Sequence, residues 1–151
     1  LENARIPLIV KAFDNPDAGG TTISALPEIR PAMCAVIRKR DQIVLTIRPK
    51  DLSFIDENHI SLIYNTIKSR KLRVNLVQSS PLFFTFCTNN DSGSIREIMA
   101  DISEAFHIRF NQGIELLTLR HYRQVDIERF TEGREIILEQ RSRINYQALL
   151  R

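Results

Sequence analysis

The sequence predicts an α+β fold with a four-stranded antiparallel sheet and two helices on one of its faces. Between Gln42 and Leu119, segments with strand and helix patterns follow in the order strand, helix, strand, strand, helix, strand. Both helical segments repeat apolar residues every three to four positions. A βαββαβ order of this kind is a split βαβ repeat. Proteins use it mainly for ligand sensing, nucleic-acid binding or small-molecule chemistry.

The first helix follows Ser53 and Asp56, and either residue is suitable as its N-cap. A negative charge at Asp56 or Glu57 is also favourable beside the free N–H groups of a first turn. Four apolar residues then recur at i, i+3, i+4 and i+7, which places them on one buried stripe. These residues are Ile60, Ile63, Tyr64 and Ile67.

The second helix is predicted from a cap and from its periodicity. Ser94 and Glu97 have the spacing of a capping box. Apolar residues at helical intervals follow, and they predict a helix that reaches the last of them. They are Ile95, Ile98, Met99, Ile102 and Phe106.

Four strands surround these helices. The first, Gln42 to Arg48, places one set of apolar side chains on each face by alternation, and the fourth is Ile114 to Leu119. Between the helices, residues 72–79 and 82–88 form a predicted hairpin, because Pro81 lacks an N–H and suits its turn.

Segments outside this unit are predicted to add short strands. Residues 6–13 are an apolar strand that ends at the turn residues 15–20, and Pro27 and Pro31 suggest a linker or an extended crossing segment. At the other end, residues 134–139 and 144–151 are predicted to form an extra C-terminal hairpin.

Composition is that of an ordinary globular protein, with 43% hydrophobic and 26% charged residues in 151. The net charge of +3 is too small to indicate nucleic acid by itself. Cys34 and Cys87 have no metal or redox spacing, and two isolated thiols fit a reducing cytosol. Neither an apolar run of membrane-spanning length nor a secretory signal is present. We therefore expect a cytoplasmic protein that binds neither nucleic acid nor membrane.

Catalytic motifs are absent from the sequence. The three histidines, His59, His107 and His121, are not at metal-ligand spacing, and neither a phosphate-binding loop nor a Gly-x-Ser-x-Gly motif occurs. We therefore predict no catalytic residues and no metal ligands in this chain. His59 differs from the other two because it lies at a helix start, where free N–H groups can bind a small anion.

Residues 6–24 read IPLIVKAFDNPDAGGTTIS, in which an Ile-Pro strand leads to Asn-Pro-x-Ala-x-Gly-Thr. This segment resembles the end of the amino-acid-kinase domain of aspartate kinases. CAVIRKRDQIVLTIRPKD, from Cys34, and RVNLVQSS, from Arg73, resemble the start and the second strand of that family's regulatory ACT region. TEGREIILEQRSR, from Thr131, resembles the carboxyl-terminal segment of a subgroup.

The resemblance implies a ferredoxin-like ACT domain at 41–122, preceded by the end of the kinase domain and a linker at 1–40. Residues 123–151 are then a hairpin that either extends the first sheet or starts a truncated second ACT unit. The intact family enzyme phosphorylates L-aspartate with ATP and Mg, at the head of lysine, threonine and methionine biosynthesis. Its ACT region senses an end product. We expect this chain to be a regulatory fragment without cofactor or kinase activity of its own.

In the family, the effector lies between the loop after the first ACT strand of one unit and the second strand of a paired unit. The matching positions are Ser53, Phe54, Ile55, Asp56, His59, Ile60, Val74, Asn75, Ser79 and Ser80. Lysine-inhibited members often have Asp where this chain has Asn75, so the resemblance leaves lysine and threonine as candidate effectors. The serines and Asn75 could instead only cap a turn. A paired site implies a homodimer.

Two other functions fit the same topology. An RNA-recognition module needs exposed aromatic residues on its central strands, and Phe83, Phe84 and Phe86 provide aromatics without the usual glycine pattern. A small enzyme of the acylphosphatase type needs an arginine loop that this sequence lacks.

Overall fold

A computed structural model describes residues 2–24 and 33–151, and the linker predicted around Pro27 and Pro31 lies outside these ranges. The chain separates into two units, residues 1–33 and 34–151. The second unit contains six strands and three helices in the described residues. In chain order these are β3 (Ala35–Pro49), α1 (Glu57–Ser69), β4 (Val74–Ser79), β5 (Phe84–Asn89), α2 (Ser92–Ile102), β6 (Phe106–Arg120), α3 (Gln124–Thr131), β7 (Ile136–Arg141) and β8 (Asn145–Leu150).

The strands of this unit form one antiparallel sheet in the order β4-β5-β3-β6-β8-β7. Its first four strands, β4-β5-β3-β6, have the order expected of a βαββαβ unit. The strands that start the two repeats, β3 and β5, are adjacent at the centre, and β4 and β6 lie outside them. The predicted ferredoxin-like α+β fold is therefore confirmed.

Strands β3 and β6 are longer than predicted, with 15 residues each. The pairing register between β3 and β6 shifts between Lys39 and Gln42 and again between Gln42 and Val44. These bulges lie near the middle of both strands. Asp41 and Gly113 have positive φ values of 53° and 69° at these bulges. Each long strand therefore serves two halves of the sheet.

The C-terminal segment repeats the order strand, helix, strand, strand. The second half of β6 leads through α3 to β7, and β8 returns between β7 and β6. The predicted C-terminal hairpin thus extends the sheet of the βαββαβ unit. Helix α3 was not predicted; the Asp126 carboxylate accepts a hydrogen bond from the Arg123 backbone N–H at 2.9 Å and caps its start.

The principal core lies between the sheet and the helices α1 and α2. Alternation directs Ile43, Leu45 and Ile47 of β3 into it, and all three are fully buried. Burial of one such side chain contributes roughly 1.5–3 kcal/mol to folding. The opposite face curls, so that residues of β3, β4 and β5 pack against residues of β6 and β8. This second core consists of Val44, Leu76, Cys87, Ile114, Leu116 and Leu149.

Two predicted helix boundaries differ from the structure. Asp91, rather than Ser94, caps α2, since its carboxylate accepts hydrogen bonds from the backbone N–H and the hydroxyl of Ser94 at 3.1 and 2.8 Å. Helix α2 also ends at Ile102, and Phe106 is the first residue of β6. Phe106 is apolar and falls at a helical interval, which suggested that the helix reaches it, but it is buried as part of strand β6.

The first unit contains a short hairpin. Strand β1 (Leu8–Val10) pairs antiparallel with β2 (Thr21–Ile23), after a 3-10 turn at Glu2–Ala4. The predicted strand is thus shorter than residues 6–13. A Cβ atom on Gly20 would lie 2.6 Å from the Val10 carbonyl oxygen, so the close approach of the two segments requires glycine there.

Candidate functional site

The start of α1 is built by Asp56 and His59. Asp56 is the N-cap: its carboxylate accepts a hydrogen bond from the His59 backbone N–H at 2.8 Å. His59 Nδ1 lies 3.3 Å from the Asp56 backbone nitrogen, which completes a capping box, and 2.9 Å from Asp56 Oδ1. The imidazole also packs edge-on against Phe106, with ring centroids 5.4 Å apart. His59 therefore holds the helix start in place.

The loop before this helix meets the turn between β4 and β5. The Ile55 backbone N–H donates to the Pro81 carbonyl at 2.7 Å, which joins the two segments. Ser53 donates to the Asp51 carboxylate through its hydroxyl at 2.7 Å, and this hydrogen bond lowers the pKa of Asp51. Ser80 builds the turn, because its hydroxyl accepts from the Phe83 backbone N–H at 3.1 Å.

Asn75 lies at the other end of β4, in a polar network. Its side-chain nitrogen Nδ2 donates to Gln42 Oε1 and to Asn89 Oδ1, each at 2.8 Å. Its side-chain oxygen Oδ1 accepts from the Lys39 ammonium, also at 2.8 Å. The side-chain acceptor of Asn75 is thus occupied by an ammonium of the same chain.

Within one chain, the predicted effector positions therefore form two groups. The loop and helix-start residues lie at the same end of the sheet as Ser79 and Ser80, whereas Val74 and Asn75 lie at the opposite end of β4. Val74 and Ser79 are five residue steps apart on the strand, which corresponds to about 16 Å. One chain does not bring the two groups together.

The edge of β4 supplies a way to join them. β4 is the first strand in the order of the sheet and pairs only with β5 among the described strands. If two copies of β4 pair antiparallel, the first residues of one strand face the last residues of the other. Asn75 of one copy then faces the Ser79 end of its partner.

Aromatic residues on the hairpin divide between the two faces of the sheet. Phe84 and Phe86 are buried in the core under α1 and α2. Phe83 is 42% exposed. Only one of the three aromatics considered for RNA stacking is therefore accessible.

Sequence reasoning missed the cluster around Glu115. This carboxylate lies 2.7 Å from Arg38 Nε and 3.7 Å from both Arg40 Nε and Arg134 Nη1. The signal was available, since Glu115 is the single acid in the apolar run Ile114–Leu119.

Three further observations concern the buried thiol, metal ligands and membrane-spanning helices. Burial raises the pKa of Cys87 to about 12, so this thiol stays protonated at neutral pH. In residues 2–24 and 33–151, no group of three His, Cys, Asp or Glu side chains could hold a metal ion. Among the helices described, none is long and apolar enough to span a membrane.

Comparison with known proteins gives matches among solved structures. No family model and no curated protein matches the chain. The crystal structure of E. coli aspartokinase III in complex with lysine and aspartate (T-state) has a TM-score of 0.75 and 17% identity, over 97% of this chain and 36% of that one. Aspartate kinase from Clostridium acetobutylicum has a TM-score of 0.79 and 15% identity, over 99% of this chain and 39% of that one.

A third structure is a putative C-terminal regulatory domain of aspartate kinase from Porphyromonas gingivalis W83. It has a TM-score of 0.64 and 14% identity, and the match covers 80% of this chain and 87% of that one. The present chain therefore spans little more than a third of the two whole kinases but nearly all of a regulatory domain. At these identities the likeness establishes the fold: this chain has the fold of the regulatory ACT region of aspartate kinases.

Proposed function

We propose that this chain is the allosteric regulatory region of an aspartate kinase and that it binds an end-product amino acid, lysine or threonine, between two copies of its ACT unit. The observation that carries the proposal is the fold match along 97% of the chain to an aspartokinase crystallised with lysine. The segments that resemble the family, residues 6–24 among them, support the same assignment.

The unpaired edge of β4 supports a paired site. Backbone groups on an edge strand are free to pair with a second copy. Gln140 Nε2 donates to the Val77 carbonyl on β4 at 2.7 Å, but a carbonyl oxygen has a second lone pair and can still accept a backbone bond. In a side-by-side dimer, the two groups of predicted effector residues meet across the interface.

Exposed apolar side chains lie on the loop and turn at the Ser80 end of this edge and on α1. Phe54 is 68% exposed and Leu82 is 51% exposed, on the loop and the turn that flank Ser80. Leu62 and Tyr64 on α1 are 45% and 43% exposed. A partner that covers these side chains removes apolar area from water, which favours association.

The first unit supports a link to a larger domain. Every described residue of its hairpin is exposed, including Ile6, Ile9 and Phe13, and a two-stranded hairpin has little stability by itself. We propose that a kinase domain covers this hairpin in the intact enzyme. That domain would hold ATP, Mg and aspartate, and the protein would act in the cytoplasm.

Chemically, the α1 start and the edge strand suit the two ends of an amino acid. Backbone N–H groups at a helix start attract a carboxylate, and the Asn75 carbonyl oxygen accepts from an ammonium. Lys39 occupies that acceptor in the single chain. Effector binding then requires that the Lys39 ammonium move aside.

Calorimetry with lysine, threonine and methionine, combined with light scattering, tests this function. We expect one of the first two to bind, and we expect a dimer at high micromolar concentration. A chain that stays monomeric with each amino acid, and takes up none of them, would contradict the proposal. Asn65→Ala, on the exposed surface of α1, is the matched control and should bind like the unmodified chain.

A further inference from the structure

The sheet face opposite α1 and α2 carries a cluster of basic side chains. The antiparallel register places Arg48 opposite His107 and Thr46 opposite Arg109. Because alternate residues share a face, these four side chains lie on the side that Ile43, Leu45 and Ile47 do not occupy. Arg48 and Arg109 are diagonal neighbours, about 7–8 Å apart at their backbones, so both guanidinium groups can reach one anion.

Strand β7 turns this face into a cleft. Ile137, Leu138 and Glu139 form its second wall, and the volume of the open cleft is about 840 Å³. Gln140, next along β7, donates its hydrogen bond to the Val77 carbonyl and so tethers β7 to β4. The volume lies in the range of roughly 300–1,000 Å³ that is typical of small-molecule sites.

The charge available in this cleft is positive. Among the described residues, Arg48, His107 and Arg109 have no side-chain hydrogen bond or ion pair. The acid on the opposite wall, Glu139, is already engaged by Arg141 at 3.0 Å and by the Tyr146 hydroxyl at 2.9 Å. Two unpaired guanidinium groups beside hydroxyl-bearing threonines favour a phosphate, to which arginine can donate two parallel hydrogen bonds.

An aromatic ring lies beside this cationic pair. Phe83 lines the cleft and immediately precedes Phe84, the strand partner of Ile47, so it flanks Arg48 on the side away from His107. Its ring is 42% exposed and able to stack on a planar group. The second wall formed by β7 favours a compact ligand over a nucleic-acid strand, which needs an open sheet surface.

We infer that this cleft is a second binding site for a small phosphate-bearing ligand with an aromatic ring, of the mononucleotide class. It shares only Ser80 with the predicted amino-acid positions. The phosphate binds Arg48 and Arg109, and the ring stacks on Phe83. The Thr85 hydroxyl donates to Thr46 Oγ1 at 3.3 Å, which leaves the Thr46 hydroxyl to donate to the ligand between these two ends.

Calorimetry on the 151-residue chain tests this site with AMP, inorganic phosphate and adenosine as probes. We expect AMP to bind more tightly than phosphate, and adenosine to bind least. Arg48→Met and Arg109→Met should each weaken AMP binding about tenfold or more, because each removes hydrogen bonds to a charged group. Phe83→Leu should weaken AMP binding without changing phosphate binding.

Arg96→Met is the matched control, since Arg96 is an exposed arginine on α2, under the other face of the sheet. It should leave AMP affinity unchanged. The inference is overturned if AMP does not bind at millimolar concentration, or if Arg96→Met weakens it as much as Arg48→Met. The inference is also overturned if a single-stranded RNA oligonucleotide binds more tightly than AMP and the same variants lose that binding. Circular dichroism confirms that each variant is folded, and unchanged amino-acid binding separates this site from the first.

Discussion

Arg38 and Glu115 form a 2.7 Å ion pair across the two long strands of the sheet. The Glu115 side chain is only 9% exposed, and it lies on β6 where the two halves of the sheet meet. Arg40 and Arg134 approach the same carboxylate. Three guanidinium groups offset the cost of placing this charge in an apolar strand, so the acid links β3 to the C-terminal repeat.

Glu115→Gln should lower the free energy of unfolding by about 1–2 kcal/mol, since a hydrogen bond to a charged partner is weakened and the Arg38 side chain is partly exposed. Urea unfolding followed by circular dichroism measures the change. Glu104→Gln is the control, because Glu104 is an exposed acid outside the strands. Equal stability of the two variants would mean that the Arg38 pair contributes nothing.

Tyr146 links β8 to β7 through a buried hydroxyl. The ring is fully buried, and the hydroxyl donates to Glu139 at 2.9 Å. Burial, and then the Glu139 carboxylate, raise the pKa of Tyr146 to about 12. Tyr146→Phe should cost roughly 1–2 kcal/mol at neutral pH, because it removes a hydrogen bond to a partly exposed charge.

The same tyrosine predicts a pH dependence. The ordinary pKa of a tyrosine is 10.0 and that of Tyr146 is higher in the folded protein, so the contribution of its hydroxyl is complete below pH 10 and is lost as the pH rises towards 12. The stability difference between the unmodified chain and Tyr146→Phe should therefore be constant from neutral pH to pH 10 and shrink above it. It should also shrink in acid, because the Tyr146 hydroxyl lowers the pKa of Glu139 and protonation of that carboxylate removes the charged acceptor. The Cys87 thiol titrates in the same pH range in both proteins, so its contribution cancels in the stability difference. A difference that stays constant up to pH 12 would contradict the assignment.

Periodicity predicted most of the fold because the helices α1 and α2 have broad apolar stripes on one face. The stripe of Ile60, Ile63 and Ile67 specifies α1 without knowledge of the sheet. Tyr64, which was predicted on the same buried stripe, is instead 43% exposed. In contrast, α3 has eight residues, starts after an arginine and exposes Val125, so it has no such stripe. Its cap depends on the contact between Asp126 and Arg123, which a pattern search does not seek.

The long strands were missed for a different reason. A bulge at Asp41 and Gly113 shifts the alternation of β3 and β6 by one residue, so each strand resembles a shorter one that begins only after the bulge. The cleft at Arg48 and Arg109 depends on that pairing. Its residues come from strands separated by about 60 positions, and only the register brings them together.

We expect the 151-residue chain to show no ATP-dependent phosphorylation of aspartate, since its sequence has neither a phosphate-binding loop nor an identifiable acid/base couple. An assay of ADP release with aspartate measures this. Turnover that Gly19→Ala abolishes would contradict the prediction, because a Cβ atom on Gly19 meets nothing within 4 Å and a purely structural glycine there would tolerate alanine. Gly20→Ala is unsuitable as the diagnostic change, because its Cβ would collide with the Val10 carbonyl.

The last prediction concerns Asn75, a predicted effector residue that could instead have a purely structural role. The structure gives it three hydrogen bonds, to Lys39, Gln42 and Asn89. Asn75→Ala should therefore lower the melting temperature as well as the affinity for the amino acid, the latter about tenfold or more. The melting temperature alone does not distinguish a structural from a binding role.

Two further variants separate the roles. Asn89→Ala removes one partner of Asn75 and should lower stability while its effect on effector affinity stays small. Lys39→Met frees the Asn75 carbonyl oxygen, so an ammonium from the effector no longer has to displace one from the chain. We therefore expect tighter amino-acid binding in Lys39→Met, measured by calorimetry at a temperature where every variant is folded. If Asn75→Ala and Asn89→Ala reduce affinity equally, and Lys39→Met does not increase it, Asn75 is a structural residue and the effector binds elsewhere.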